Sequence, residues 1–501
     1  TVHTPESALE CLALDPDAHF SIWVKNLEQF EAYAAAGVPW SHVMVAYVVS
    51  ATMDERLDPL RDALHAVGVR CMTSTAPLQD KIPNDRLRKE RYAREVALHP
   101  DIIETDYPLE FIELYEDVKL RLSNDMNKIE AALQRTTDTR DLIIGVGAMK
   151  RTPEMFQKLF PGKKAVIVAD TTTYRVAGEE VARHLAEAGV AAAEPFIFDD
   201  PHLYAEWSYV EQLEAYLKNL DVVAIAVGSG VINDLTKLVS AHLGRKYMVV
   251  GTAASMDGYT AYGASITFEG NKQTFDCPAP CGMVLDPVIA AAAPKELAAS
   301  GYADLIAKIP AGADWIIADA LGTERLDTFS FDLVQEGLRD ALSAPKAVFE
   351  GDVAMTEKLA EGLIMSGFAM QALQSSRPAS GTEHQFSHCW DMENLCYNGE
   401  HVSHGFKVGI GTLASTASLE FLLETDIEHL DCDRCVDSWK SWEETVQDIY
   451  RIFDGKPGHI ARALTETKGK YVDREGLRRQ LETLKAVWPE LRERIRPQII
   501  P

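Results

Sequence analysis

Asp304, His384, His388, His401 and His404 are the residues of this 501-residue chain whose types and spacing point most directly to chemistry. Asp304 lies in "GYADLIAK", an apolar stretch of helical period with few other charges. His384 and His388, in "RPASGTEHQFSHCW", are four residues apart and so share one helical face. His401 and His404, in "GEHVSHGFKVGIGT", precede a glycine-rich run. One carboxylate and two imidazoles are a ligand set suited to Zn²⁺, Ni²⁺ or Fe²⁺. Three protein ligands leave coordination positions open for a carbonyl or alkoxide oxygen. Sequence separation alone does not make such residues converge, and His388, His401 and His404 compete for the third place.

A second constellation lies upstream. "VVAIAVGSGVINDLTKL" reads as a strand, the turn Gly228-Ser229-Gly230, and a helix. Glycines let a backbone approach a phosphate closely, and a helix N-terminus offers free N–H groups and a positive dipole end. The turn is not the GxGxxG of the common dinucleotide fold, and an ordinary strand-to-helix turn has the same composition. Asp234 falls in the first turns of that helix, where it would cap the helix or meet a ribose. An earlier strand, "KAVIVAD", ends in Asp170, placed either to accept from a ribose hydroxyl or to cap the next helix. A second polar turn, "GTAASMDGY", carries Asp257.

The composition bounds the function. With 47% hydrophobic and 25% charged residues the chain reads as soluble and globular, and its length suits two to four domains. No run of about 18 apolar residues occurs, so no membrane insertion is expected. The N-terminal "TVHTPESALE" has neither a basic region nor an apolar core, so no signal peptide is expected, and the missing initiator Met points to trimming or absent upstream residues. A net charge of -27 argues against nucleic acid and anionic membranes as partners. Eight widely spread cysteines suit a cytoplasmic protein; the pairs Cys277/Cys281 and Cys432/Cys435 are too far apart for a zinc knuckle and read as structural thiols.

These residues are to be positioned by three kinds of structure. Residues 1–105 alternate short β-branched runs ("FSIWVKN", "HVMVAYVVS", "VRCMTS", "DIIETDY") with helical segments, the rhythm of half a βα barrel. Residues 106–137 read as a helical connector. Residues 138–286 hold five strands ("LIIGVG", "KAVIVAD", "EPFIFD", "VVAIAVGSG", "YMVVGTAAS") and read as an α/β nucleotide-binding domain. Residues 287–501 show helical periodicity almost throughout and read as an all-α domain. The cleft between the last two is the expected site.

Taken in order, "VGSGVIND", "GTAASMDGY", "GYADLIAK", "SGTEHQFSH" and "HGFKVGIGT" resemble the sn-glycerol-1-phosphate dehydrogenases. The likeness is to the bacterial arabinose-operon-type branch, within the dehydroquinate synthase-like, iron-containing alcohol dehydrogenase-like superfamily, and it covers residues 138 to 501. It implies an α/β nucleotide-binding domain followed by a helical domain, NAD(H) or NADP(H), and one divalent metal, zinc or nickel or iron. It matches Asp304, His384 and His404 to the metal ligands, and Asp257 and His388 to catalytic substrate contacts. Gly228, Ser229, Gly230 and Asp234 match the pyrophosphate loop, Thr252 and Ser255 the next nucleotide turn, and Asp170 the ribose end. Two departures stand out: Met256 where many members have His, and Ala261 in place of a serine.

The implied reaction is reduction of dihydroxyacetone phosphate to sn-glycerol 1-phosphate by metal-assisted hydride transfer. The small phosphorylated substrate needs cations, for which Lys308 and Arg377 are the candidates, and a homo-oligomer is expected. Two other classes fit the same residues: a sugar-phosphate cyclase of the dehydroquinate synthase type, which would carry Glu at position 304, and a non-catalytic interaction protein. Residues 1–105 resemble the second half of a glycerophosphodiester phosphodiesterase barrel, through "LRDALHAVGVRCMTST" and "HPDIIETDYPLEF". That family's catalytic "HRG" is missing, so a scaffold or partner surface is expected there and no phosphodiester hydrolysis.

Overall fold

The structure, a computed structural model, describes residues 2–24, 26–48, 57–74, 81, 88, 92, 102–106, 128–269, 271–393 and 395–499. The chain forms two compact units, Thr1–Lys128 and Ile129–Pro501. Most of the expected connector, residues 107–127, lies outside the described residues, and residues 128–135 are helical.

In the first unit four parallel strands pair in chain order: β1 (Phe20–Val24), β2 (Val43–Val48), β3 (Arg70–Ser74) and β4 (Ile102–Glu104). They coincide with the four β-branched runs. The helices Leu27–Ala35 and Leu57–Ala66 supply two of the crossovers that parallel pairing demands. Ile22, Val24, Tyr33, Leu60 and Leu64 form the core of this unit.

The second unit is built on a six-stranded parallel sheet of order β5-β12-β9-β8-β6-β7. Its strands are β5 (Asp141–Ile144), β6 (Lys164–Asp170), β7 (Phe196–Phe198), β8 (Val222–Gly228), β9 (Met248–Gly251) and β12 (Gly282–Leu285). β8, "VVAIAVG", is buried at all seven positions, because a parallel sheet covered by helices has no wet face. Alternate residues enter two cores. Val222, Ala224 and Ala226 join one that continues into the helical region through Leu305 and Leu363, while Val223, Ile225 and Val227 face Phe156 and Val181. From β6 the chain passes outward to β7, whereas from β8 it passes inward to β9. The carboxyl ends of β6 and β8 are therefore a switch point of the topology, where such sheets open a ligand crevice.

Two elements escape the periodicity reading. One is the antiparallel hairpin of β10 (Ala264–Phe268) and β11 (Asn271–Phe275); the other is β12, four buried residues at the centre of the sheet. Beyond Pro287 the regular elements among the described residues are helices, as the periodicity implies, apart from one hairpin of two-residue strands, β13 (Cys396–Tyr397) and β14 (Glu400–His401). The helix His404–Glu424 is the one described helix long and apolar enough to cross a membrane. Its Gly405, Val408, Thr412 and Ser415 are nevertheless buried within the protein.

Candidate active site

Three helices converge at the end of the sheet, and two glycines set how closely. Asp304 lies near the end of the helix Lys295–Ile306. A Cβ at Gly301 of that helix would stand 2.0 Å from the carbonyl oxygen of Ala254, in the turn that follows β9. The helix His404–Glu424 crosses at Gly405, where a Cβ would stand 2.0 Å from the Ser300 carbonyl oxygen. Only a residue without a side chain permits either approach. The third helix, Thr382–Met392, carries His384. As a result one ligand atom each from Asp304, His384 and His404 lies within 4.8 Å of the others.

Donors about 2.1 Å from a tetrahedral metal stand ~3.4 Å apart, so side-chain adjustment of about an ångström closes this set around an ion. The protonation states suit it. Burial pushes His404 down to about 3, which keeps its imidazole neutral. Burial alone would raise Asp304, but the Lys308 ammonium and then the two histidines outweigh it and hold the carboxyl well below its ordinary range.

His404 also makes stability depend on pH. Its pKa falls from about 6.5 to about 3 on folding, so between those values the unfolded chain takes up a proton that the native chain refuses. Stability must then rise with pH across that window. Chelator-treated protein is expected to lose melting temperature steadily as pH drops from 6.5 to 4, and His404→Gln to flatten that slope.

His384 is aimed by its neighbour. Its Nδ1 donates to Oε1 of Glu383 at 2.7 Å, an oxygen that also accepts from the Gly381 N–H at 2.7 Å. This leaves His384 Nε2 facing Asp304 Oδ1 at 3.9 Å. Glu383 is fully buried, and its Oε2 has no hydrogen-bond partner among the described residues. Such a carboxylate fixes the tautomer and raises the basicity of a ligating histidine. Glu383→Gln is expected to weaken Zn²⁺ binding roughly ten- to hundredfold in competition with a chromogenic chelator, with the helix content unchanged.

Lys308 and Asp257 extend the cluster. Lys308 Nζ lies 2.8 Å from both Asp257 Oδ2 and Asp304 Oδ1 and is completely buried. The Asp257 N–H donates to Asp304 Oδ2 at 3.1 Å, and Ser366 Oγ donates to Asp257 Oδ2 at 2.9 Å. Burial would lower Lys308, but the two carboxylates outweigh it and hold the ammonium above its ordinary range. This corrects the expectation of a phosphate cation. A residue enclosed between two aspartates tethers them and faces no open space. The turn after Asp257 is pinned by Lys237, whose buried Nζ donates to the carbonyl oxygens of Gly258, Ala261 and Gly263, each at 2.9 Å. Neither Lys237 nor Glu383 stood out by composition. The readable signals were a lysine on the apolar face of "VINDLTKL" and an acid directly before a candidate ligand in "TEHQ".

The nucleotide candidates gather at the switch point. Val168 pairs with Ala226, so Asp170 and Gly228 end adjacent strands side by side. Ser229 is the N-cap residue of the helix Gly230–His242, yet no side chain caps the leading N–H groups, which leaves them for an anion. Thr252 donates its N–H to the Gly228 carbonyl at 3.1 Å, joining the two turns, and Ser255 is buried in the second. Asp170 caps the next helix, its Oδ1 accepting from the N–H groups of Thr172 and Thr173. Asp234 does not point to a ribose: its Oδ2 accepts from the Ser265 N–H at 3.2 Å and ties down the start of β10.

The remaining candidates scatter. His388, one turn beyond His384, is exposed. His401 sits on β14 with its ring 5.9 Å from Tyr204, outside the cluster that His404 joins. Arg377 is also outside it. Its Nε donates to Glu324 at 2.7 Å, its Nη1 donates to the Ser380 carbonyl oxygen, and its guanidinium lies 5.7 Å from the Trp315 ring centroid, so the fork is already occupied. None of the eight cysteines forms a disulfide, and burial pushes Cys277 up to about 12.

Comparison with known proteins agrees with this layout. The family model of the iron-containing alcohol dehydrogenases matches residues 143–294. The chain is 34% identical over 332 residues to a glycerol-1-phosphate dehydrogenase [NAD(P)+] of Bacillus velezensis, an alignment covering 65% of this chain and 82% of that relative. The crystal structure of glycerol dehydrogenase from Schizosaccharomyces pombe aligns over 72% of this chain and 92% of its own, at TM-score 0.50 and 17% identity, a likeness of fold. A part amounting to 23% of this chain is 37% identical to 40% of a glycerophosphoryl diester phosphodiesterase from Parabacteroides distasonis, at TM-score 0.22. Identical at 34% of 332 aligned residues to a relative of which it covers 82%, and folding as a parallel sheet followed by helices, the chain belongs to the glycerol-1-phosphate dehydrogenase family.

Proposed function

We propose that this chain catalyses the reversible reduction of dihydroxyacetone phosphate by NADH or NADPH and a proton, giving sn-glycerol 1-phosphate and the oxidised nucleotide. The observation that carries this reading is the Asp304–His384–His404 cluster, in which Asp304 also accepts from the N–H of Asp257, in a member of that family.

Asp304, His384 and His404 would hold a divalent ion, zinc or nickel or iron, and Gly228–Gly230 with Thr252 and Ser255 would hold the nucleotide. When bound, the two groups supply a Lewis acid and a hydride, respectively. The residues of the chain do the positioning. Asp257, fixed by Lys308 and Ser366, presents its carboxylate edge to a substrate hydroxyl. Holding the ketone beside the nicotinamide turns a bimolecular encounter into a local one, which accounts for much of the acceleration. His388, exposed one turn beyond His384, would be a further substrate contact. Asp170 at the end of β6 disfavours a 2′-phosphate, which supports a preference for NADH.

The deciding assay is NADH oxidation with dihydroxyacetone phosphate. This reading requires turnover with formation of sn-glycerol 1-phosphate and no release of inorganic phosphate. Phosphate release without net NADH oxidation would assign a cyclase instead, and neither signal would leave a binding protein. A homo-oligomer is the favoured state, supported by the exposed stripe Phe406, Ile410, Leu413 and Phe421 on one helix. Eight cysteines without a disulfide fit a reducing, cytoplasmic setting.

A further inference from the structure

A dianionic phosphate held by a chain of net charge -27 requires local cations, and the two that the sequence offered are engaged elsewhere. Lys308 is enclosed by Asp257 and Asp304, and Arg377 is bound to Glu324. A different pair stands at the His404 side of the cluster. Lys407 lies one turn beyond His404 on the same helix, is buried, and is ion-paired with Asp391 at the end of the helix Thr382–Met392. Lys272 approaches the same Asp391 Oδ1 from β11, at 4.0 Å. Both Lys272 and Asp391 lie within electrostatic range of the His404 imidazole.

The two lysines are not equivalent. The Lys407 ammonium is in hydrogen-bond contact with Asp391 and neutralises it. At 4.0 Å Lys272 is beyond hydrogen-bond range and 31% exposed, so its three donors are not taken up by Asp391. Two ammonium groups on one carboxylate leave a net positive charge. The phosphate ester of the proposed substrate hangs from the carbon next to its carbonyl. A carbonyl at the histidine cluster therefore keeps the phosphorus only three bonds from the carbonyl carbon, within reach of a cation beside His404 such as Lys272.

We infer that Lys272, backed by the Lys407–Asp391 pair, is the phosphate-binding cation of this site and the residue that selects a phosphorylated ketone over an unphosphorylated one. The inference rests on the function proposed above. It assigns to the β10–β11 hairpin, which the helix pattern of the sequence did not single out, the recognition of substrate. With Lys272 uncharged or absent, the neutral Lys407–Asp391 pair offers an incoming phosphate no net attraction.

The test compares Lys272→Met and Lys272→Arg with the wild type on dihydroxyacetone phosphate and on dihydroxyacetone. Loss of one charge-assisted hydrogen bond predicts a roughly ten- to hundredfold fall in kcat/KM on the phosphorylated substrate for Lys272→Met, carried mainly by KM. The fall on dihydroxyacetone should be at least tenfold smaller, and Lys272→Arg should recover most of the loss. Equal losses on both substrates, no loss on either, or a rise confined to the KM for NADH would overturn the assignment; the last would place the lysine at the nucleotide pyrophosphate. A wild type that does not reduce dihydroxyacetone phosphate would refute the proposed function alone. Calorimetric titration with inorganic phosphate then decides the subsite: binding that is lost in Lys272→Met supports it, and binding that is equal in both, or undetectable in the wild type, rejects it.

Discussion

Turnover is expected to fall by about 10³-fold or more when His384 is replaced by Ala. Three side chains from three helices make up the candidate ligand set, and removing one leaves only Asp304 and His404 to hold an ion. A bound metal lowers the barrier of carbonyl reduction by several kcal/mol, and each 1.36 kcal/mol is a factor of ten in rate. The fold should survive, because His384 is held by Glu383 and packs no core cluster of its own. Dialysis against a chelator is expected to have the same effect, and added Zn²⁺ or Ni²⁺ to reverse it in the wild type but not in His384→Ala. Undiminished activity in the variant, or in stripped enzyme, would remove the metal from the mechanism.

The second large effect concerns stability. Lys308→Met fills the space of the lysine without its charge and leaves Asp257 and Asp304 facing one another, buried and uncompensated. Removing one partner from a buried ion pair typically costs about 3–5 kcal/mol, since the remaining charge stays desolvated. Urea unfolding should show that loss as a lower midpoint at unchanged slope. Adding Asp257→Asn and Asp304→Asn to Lys308→Met should recover much of it, because a neutral set of similar shape carries no desolvated charge. A cost below about 1 kcal/mol for the single change would mean that solvent or another cation reaches the aspartates.

Much of this architecture was legible because buried parallel strands announce themselves. "VVAIAVG" and "KAVIVAD" are apolar at nearly every position, and both became central strands. β12 was missed because "GMVL" is only four residues long and sits between a proline- and cysteine-rich stretch and Asp286-Pro287. The β10–β11 hairpin was missed because β11, "NKQTF", has a single apolar residue, so the clean alternation of "ASITF" in β10 has no apolar partner run in the sequence. At the site, residue type nominated Asp304 and His384 and left His388, His401 and His404 competing for the third place; the family resemblance pointed to His404, and the structure brings that set together. Partners were not legible. Nothing in "DLIAKI" tells whether Lys308 faces a ligand or two aspartates, since Asp257 comes from a loop 51 residues earlier (308 − 257) and Ser366 from a helix further on. Arg377 looked available for the same reason: Glu324 and Trp315 reach it only through tertiary packing.

Lys237 turns the fold into its own chemical clock. An amine acylates only as the free base and only where a reagent can reach it. Lys237 is sealed from solvent by the turn it grips, its three ammonium protons given to three carbonyl oxygens. Burial further depresses its pKa, so once exposed it regains the ordinary basicity of a lysine. Exposed lysines such as Lys346 therefore acylate at rates set by reagent concentration, whereas Lys237 can acylate only as fast as the Gly258–Gly263 turn lets go. Peptide mapping of time-resolved acylation would read the opening of that turn directly. Because the turn begins one residue after Asp257, the same measurement reports how often the Asp257 carboxylate loses its support.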